Sequence, residues 1–151
     1  METGVVVHLK ELGMAGALAF SAIGSALGTG IAGMAAVGAW KKCFAQNKAA
    51  PFILTVFVGA PLSQTIYGMI VMNFIVTAVG KGTGLWAAGI FAGLAMGASA
   101  MMQGKAGAAA ADAMAETGKG FGNYLIVLGV IETVALFVMV FIMMGAGKII
   151  G

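Results

Sequence analysis

The chain has no arginine, one cysteine, two prolines, and so few charged residues of either sign that they fill only 9% of its 151 positions. Each shortage excludes something. The lone Cys43 permits no internal disulfide, and its place beside Lys41 and Lys42 near a helix end reads as a chemically idle thiol. The net charge of +3 comes from lysines alone and is too small to suggest a nucleic-acid partner. His8, the only histidine, stands in an N-terminal segment that reads as exposed and solvated. A soluble domain of this length needs a charged surface, which this chain does not have. What it has instead is 61% hydrophobic residues and a mean hydropathy of +1.05. Those values describe a multi-pass integral membrane protein.

Two sequence patterns are set aside. GTGIAG at 28–33 has the G-x-G-x-x-G spacing of a dinucleotide loop, yet no strand precedes it and it lies within an apolar span. No G-x-x-x-x-G-K-S/T sequence is present, so no ATP site is expected here. The stretch LGMAGALAFSA resembles a signal-peptide core, but the apolar run continues to Trp40, and it is read as a retained helix. The twelve methionines read as apolar filler rather than a metal path.

Charges divide the chain into four apolar spans, and each predicts a helix. The first lies within 12–40, stopped by Lys41 and Lys42. The second falls between Lys48 and Lys81, starting near Pro51, a favourable first-turn residue. The third runs from about Leu85 to about Glu116, and the fourth over roughly 121–147. Trp40 and Trp86 suit the interfacial belts. The connections are short, so sequence neighbours should be antiparallel hairpin partners. Lys41, Lys42, Lys48 and Lys119 face one side, with Lys10, Lys81, Lys148, Glu2 and Glu11 opposite. By the positive-inside rule the 41–50 and 112–120 loops are cytoplasmic and both termini extracytoplasmic.

An internal repeat underlies this pattern. SALGTGIAGMAAVGA (25–39) lies over SAMMQGKAGAAAADA (99–113) at a constant offset of 74. The second and fourth spans align more loosely at an offset near 70, with Leu62 opposite Glu132. The chain thus reads as one transmembrane domain over 1–151, a duplicated hairpin with repeats at about 12–79 and 85–147. The odd spans carry small residues at helical spacing: Ala17, Ser21, Gly24, Gly28 and Ala32, then Gly89, Gly93, Gly97, Ala100, Gly104 and Gly107. Such faces let backbones approach closely. Thin helices inside and bulky ones outside suit a curved assembly that closes into a ring of copies, bathed in lipid.

Glu132 is the residue that demands a reason. It is the only charged side chain between Lys119 and Lys148, thirteen residues from one and sixteen from the other. At about 1.5 Å per residue it sits roughly 20 Å from each, near the middle of a ~30 Å apolar slab. A carboxylate there costs at least about 2.5 kcal/mol, so it must be protonated, paired or bound to a cation. Gln64 lies at matching depth, sixteen residues from Lys48 and seventeen from Lys81. Gln103 stands at the depth of Thr29 if the repeat holds, and Ser63 and Tyr67 add hydroxyls. Pro61 removes an amide and frees the carbonyl of Phe57, loosening the second helix beside these groups. Oxygen donors around one carboxylate suit a small hard cation. The bland alternative is interhelical hydrogen bonding by the glutamines. Lys105 fits less easily: it points into a ring's lumen or reaches toward Asp112, two turns on.

APLSQTIYG, MMQGKAG and GVIETVAL together resemble the membrane rotor-ring component of V/A-type rotary ATPases, known as the proteolipid, in its sodium-carrying variety. The resemblance covers essentially the whole chain. It implies an all-α ring of four-helix subunits, non-catalytic itself, that couples ion passage to ATP hydrolysis or synthesis elsewhere. It also implies a Na⁺ site made by Glu132, the Gln103 and Gln64 side chains, the Ser63 hydroxyl and the Ala60 carbonyl, with Tyr67 steadying the glutamate. The implied partners are a stator subunit that supplies an arginine and a central stalk gripping the cytoplasmic loops. A prokaryotic plasma membrane is the expected location. Several converging oxygens favour Na⁺ over H⁺, though a proton would need only the carboxyl group. A proton-coupled secondary transporter is the rival from another class, and a purely structural bundle would leave Glu132 without a reason.

Overall fold

The computed structural model describes residues 4–79 and 85–150. Glu2 and Lys81, and the side chains of Lys10 and Lys148, which enter the orientation argument, lie outside the described residues. The described residues form helices joined by short turns, with no strand among them. Helix α1 covers Gly4–Ala45 and α2 covers Leu54–Gly59. A 3₁₀ turn at Ala60–Leu62 leads directly into α3, Ser63–Val79. Helices α4 (Trp86–Thr117) and α5 (Phe121–Ile150) complete the chain. Four stretches are long and apolar enough to cross a membrane: Glu11–Ala45, Leu54–Ala78, Trp86–Thr117 and Phe121–Gly145.

The first helix corrects the expectation drawn from charge. Lys41 and Lys42 do not stop it; they end the apolar span, but lysine is a good helix former and its long stem carries its charge outward. The stop comes at Asn47, left-handed at φ 53, where Lys48 N–H donates to Cys43 O at 2.9 Å. The indole of Trp40 then donates to Pro51 O at 2.8 Å and ties the turn to α1. The second span begins at Leu54, three residues after Pro51. Gly118, at φ 66, ends α4 in the same left-handed manner.

The two small-residue ladders meet each other. A Cβ placed on Gly24 would fall 2.2 Å from Gly97 Cα, and one on Gly104 would fall 2.2 Å from Gly28 O. The pairing of Gly13 with Gly89, Gly24 with Gly97 and Gly28 with Gly104 makes α1 and α4 a parallel pair in backbone contact. Helix α3 runs antiparallel to α1, with Gly68 against Ser21 and Pro61 against Gly28. Helix α5 lies along α4 and α3 and keeps about half of its described bulky side chains, such as Ile126, Val130, Phe137 and Phe141, exposed. Those side chains suit lipid.

Two apolar clusters fill the bundle, one towards each end. The first joins Ala17, Val71, Ile75, Ala92, Met96 and Ala135. The second joins Ala36, Leu54, Phe57, Ala110, Ala111 and Leu128. Pro61 does reshape the second helix, though as a tight 3₁₀ turn rather than a loose segment. The Phe57 carbonyl faces Gly107, where a Cβ would fall 2.8 Å from the oxygen. Between the clusters lies a polar layer.

Candidate functional site

That layer contains every side chain picked out from the sequence as a ligand or its support. Glu132, on α5, accepts two hydrogen bonds, one on each carboxylate oxygen. Tyr67 Oη donates to Oε1 at 2.7 Å, and Gln103 Nε2 donates to Oε2 at 3.3 Å. The same Gln103 nitrogen uses its other hydrogen on Leu128 O at 3.0 Å. Gln103 Oε1 in turn accepts from Gln64 Nε2 at 2.9 Å. Ser63 Oγ lies 3.2 Å from both Gln64 Oε1 and Ala60 O, and its single proton serves one of them at a time. A continuous polar chain therefore runs from the Ala60 carbonyl through Ser63, Gln64 and Gln103 to Glu132 and Tyr67.

Local sequence explains the convergence. The 3₁₀ turn at Pro61 sets the Ala60 carbonyl just ahead of α3, whose first two residues are Ser63 and Gln64. Tyr67 follows Ser63 by four residues and Gln64 by three, so the three share a face. Gln64 and Gln103 are wholly buried, at 0% exposure, and burial of an amide is tolerated only where it is hydrogen-bonded. The apolar clusters above and below exclude water, which strengthens each of these bonds.

One positioning contact was not legible in advance. Ser99, one turn before Gln103 on α4, donates to Ile131 O at 2.9 Å. With the Gln103 bond to Leu128 O, it pins two successive turns of α5 and sets the rotation that carries Glu132 inward. A serine four residues before Gln103 was a signal, but in a ladder of small residues it looks like packing. Ser99→Ala is expected to lower stability by about 0.5–1.5 kcal/mol, read as a lower thermal unfolding midpoint in detergent. An unchanged midpoint would mean that this bond does not hold α5.

Lys105 does not join the site. It is exposed, and among the described residues it makes no ion pair, so the expected reach toward Asp112 is not found. The ion pair at that end is Lys42 with Glu116, which clips α1 to α4.

The chemistry open to the arrangement is narrow. Glu132 is the only ionic group in the chain of contacts, and it brings one negative charge. The rest of the chain of contacts holds neutral oxygens: two amide, two hydroxyl and two backbone carbonyl. One carboxylate with several neutral oxygens matches a monovalent hard cation in both charge and donor type. With that cation, or with a proton, the site is electrically neutral. Only then can it lie against lipid at modest cost.

Comparison with known proteins bears on the second half of the chain. Residues 86–145 match the family model of the ATP synthase C-subunit. That stretch spans α4 and α5 and includes Ser99, Gln103 and Glu132, so this hairpin is similar to that family. No curated protein matches the chain.

Proposed function

We propose that this chain is the ion-carrying subunit of the membrane rotor ring of a V/A-type rotary ATPase, with Na⁺ as its cargo at Glu132. The observation that supports this reading best is the bond between the buried amides of Gln64 and Gln103, one of which also reaches Glu132. A proton carrier needs a carboxyl group in a dry place and has no use for a row of buried oxygens that costs desolvation. A sodium carrier needs that row, because oxygens must replace the ion's hydration shell. The family match to the α4–α5 hairpin supports the rotor part of the proposal.

The mechanism follows from charge. A site that travels through lipid must be neutral, and Glu132 with Na⁺ is. At the stator, a fixed positive charge competes with Na⁺ for the carboxylate and releases it. This chain contains no arginine, so that charge belongs to a partner subunit. Each ion moved across 100 mV exchanges about 2.3 kcal/mol, and many steps per turn sum to enough for ATP chemistry on other subunits. The copies pack by one repeated heterologous contact, with the narrow α1–α4 pair inside and bulky α3 and α5 outside. The turns that follow Ala45 and Thr117, shorter than the 41–50 and 112–120 loops expected from the sequence because α1 and α4 run into those ranges, lie on the cytoplasmic side, where the central stalk grips them, and both termini lie opposite.

The test is the rate at which a carbodiimide modifies Glu132 in the purified assembly. Carbodiimides attack the protonated carboxyl group, so bound Na⁺ shields it. We expect millimolar Na⁺, but not K⁺, to slow the reaction, with less protection as the pH falls. Labelling that follows pH alone would make this a proton-carrying rotor and leave Gln64 and Gln103 to packing. Absence of labelling under all conditions would overturn the rotor reading itself.

A further inference from the structure

Helices α1 and α4 are repeat copies that run parallel, so a rotation about an axis along the helices carries the α1–α3 hairpin onto the α4–α5 hairpin. The same rotation applied again carries α4–α5 onto the α1–α3 hairpin of a second molecule. A contact made inside one copy is then made again between copies, and a heterologous contact of that kind closes into a ring.

The repeat states which residues meet. Moving the α1 member of an internal contact forward by the offset of 74, and the α4 member back by it, gives the pair across copies. Within a copy, Ala17 lies against Gly93, Gly24 against Gly97, and Gly28 against both Ala100 and Gly104. Across copies these become Phe91 with Ala19, Ala98 with Ile23, and Met102 with Ala26 and Gly30. Each new pair sets one bulky side chain against a small one. Phe91, Ile23 and Met102 are exposed on the bundle surface, and a Cβ on Gly30 would meet nothing within 4 Å.

Helix geometry puts these residues on the outer flanks. Two residues along an α-helix turn through about 200°. Gly30 follows Gly28 by two and Met102 follows Ala100 by two, so both point away from the α1–α4 contact, on opposite sides of the bundle. Met102 and Ala98 line a groove between α4 and α5, together with Ser99 and Ile131. They are the counterparts of Gly28 and Gly24, the two residues of α1 that receive α4 within a copy.

Charge agrees with the same register. Lys42 and Glu116 occupy one repeat position and pair within a copy. Transformed, that pair becomes Glu116 with Lys42 of the next copy, so the contact between copies again joins opposite charges. At the depth of the polar layer, the offset of 70 puts Leu62 in the place of Glu132 and Phe137 in that of Tyr67. Both are exposed, and across copies they cover each other in a seam that holds no charge.

We infer that a second copy of this chain docks its α1, at Ile23 and Gly30, in the α4–α5 groove at Ala98 and Met102. The inference rests on the rotor reading above and fixes the face and register of its ring. The docked helix also covers the Ser99 bond to Ile131 O, so assembly shields the contact that sets the rotation of Glu132.

The experiment is disulfide trapping, in native membranes, of a Cys43→Ala chain that carries Gly30→Cys and Met102→Cys. Oxidation with copper phenanthroline should convert the monomer band on a non-reducing gel into a ladder of multimers that reductant collapses. Neither new cysteine alone should give a ladder. Gly30→Cys with Ala95→Cys is the register control, since Ala95 lines the same groove two turns from Met102. That is roughly 10 Å along the helix, and a disulfide needs Cα atoms within about 7 Å. The control should cross-link at least about fivefold less. If Gly30→Cys impairs assembly, Ala26→Cys takes its place. Equal yields from the two pairs, or no ladder from a ring that assembles, would overturn the inference and leave the rotor reading standing, with lipid or another face in the groove. A wild-type chain that stays monomeric in mild detergent would overturn both.

Discussion

On the rotor reading proposed above, Glu132→Gln is expected to abolish ion transport by the assembled complex while leaving the ring intact. The substitution keeps the shape of the side chain and an oxygen that can still accept from Tyr67, so folding should survive. What it removes is the only negative charge in the polar layer. A cation then enters the slab uncompensated, at a cost of at least about 2.5–3.5 kcal/mol, which lowers occupancy by a factor of roughly 100 or more. The amide also meets Gln103 Nε2 with a donor where a carboxylate oxygen accepted at 3.3 Å. The measurement is ATP-driven ²²Na⁺ uptake into vesicles containing the purified complex, beside carbodiimide labelling of the same preparation. Both should fall to background. Uptake at even a tenth of the wild-type rate would mean that the ion does not ride on this residue.

The second large effect concerns the scaffold. Gly24→Ala should destroy the bundle, although it adds only a methyl group. Its Cβ would lie 2.1 Å from Gly97 O and 2.2 Å from Gly97 Cα. Those are backbone atoms of a facing helix and have no rotamer to change, so α1 and α4 must separate. Separation loses contact along the whole ladder, and the cost should exceed the ~1–3 kcal/mol of ordinary overpacking. Gly122→Ala is the control, since nothing lies within 4 Å of that position. Yield of folded protein and unfolding midpoint in detergent would separate the two. A Gly24→Ala variant as stable as Gly122→Ala would show that α1 and α4 are not in backbone contact.

The site and the scaffold are coupled through α4. Its glycine face seats it on α1, and the neighbouring face carries Ser99 and Gln103 to α5. The rotation of α4 therefore decides both contacts together. A change that disturbs the ladder near Gly104, next to Gln103 in the chain, should weaken ion binding before it unfolds the protein.

Much of this was open to the sequence because an apolar slab tolerates few exceptions. Each polar residue within the spans has to be explained, so Glu132, Gln64, Gln103, Ser63 and Tyr67 stood out by chemistry and depth alone. The glycine ladders were equally plain, since helical spacing places small residues on one face whatever lies opposite. Helix ends were read less well, because charge marks where apolar sequence stops and not where backbone hydrogen bonding does; α1 continues through Lys41 and Lys42 to Ala45.

Spacing along a helix gives depth but not the rotation of one helix against another. That is why the tertiary structure alone decided that Gln64 donates to Gln103, that Gln103 divides its hydrogens between Glu132 and Leu128 O, and that Ser99 pins Ile131 O. It alone left Ser25 and Thr29 without partners among the described residues. A serine in a small-residue ladder has the same sequence signature whether it fills space or waits for a hydrogen bond. Only the azimuth of the neighbouring helix tells the two apart.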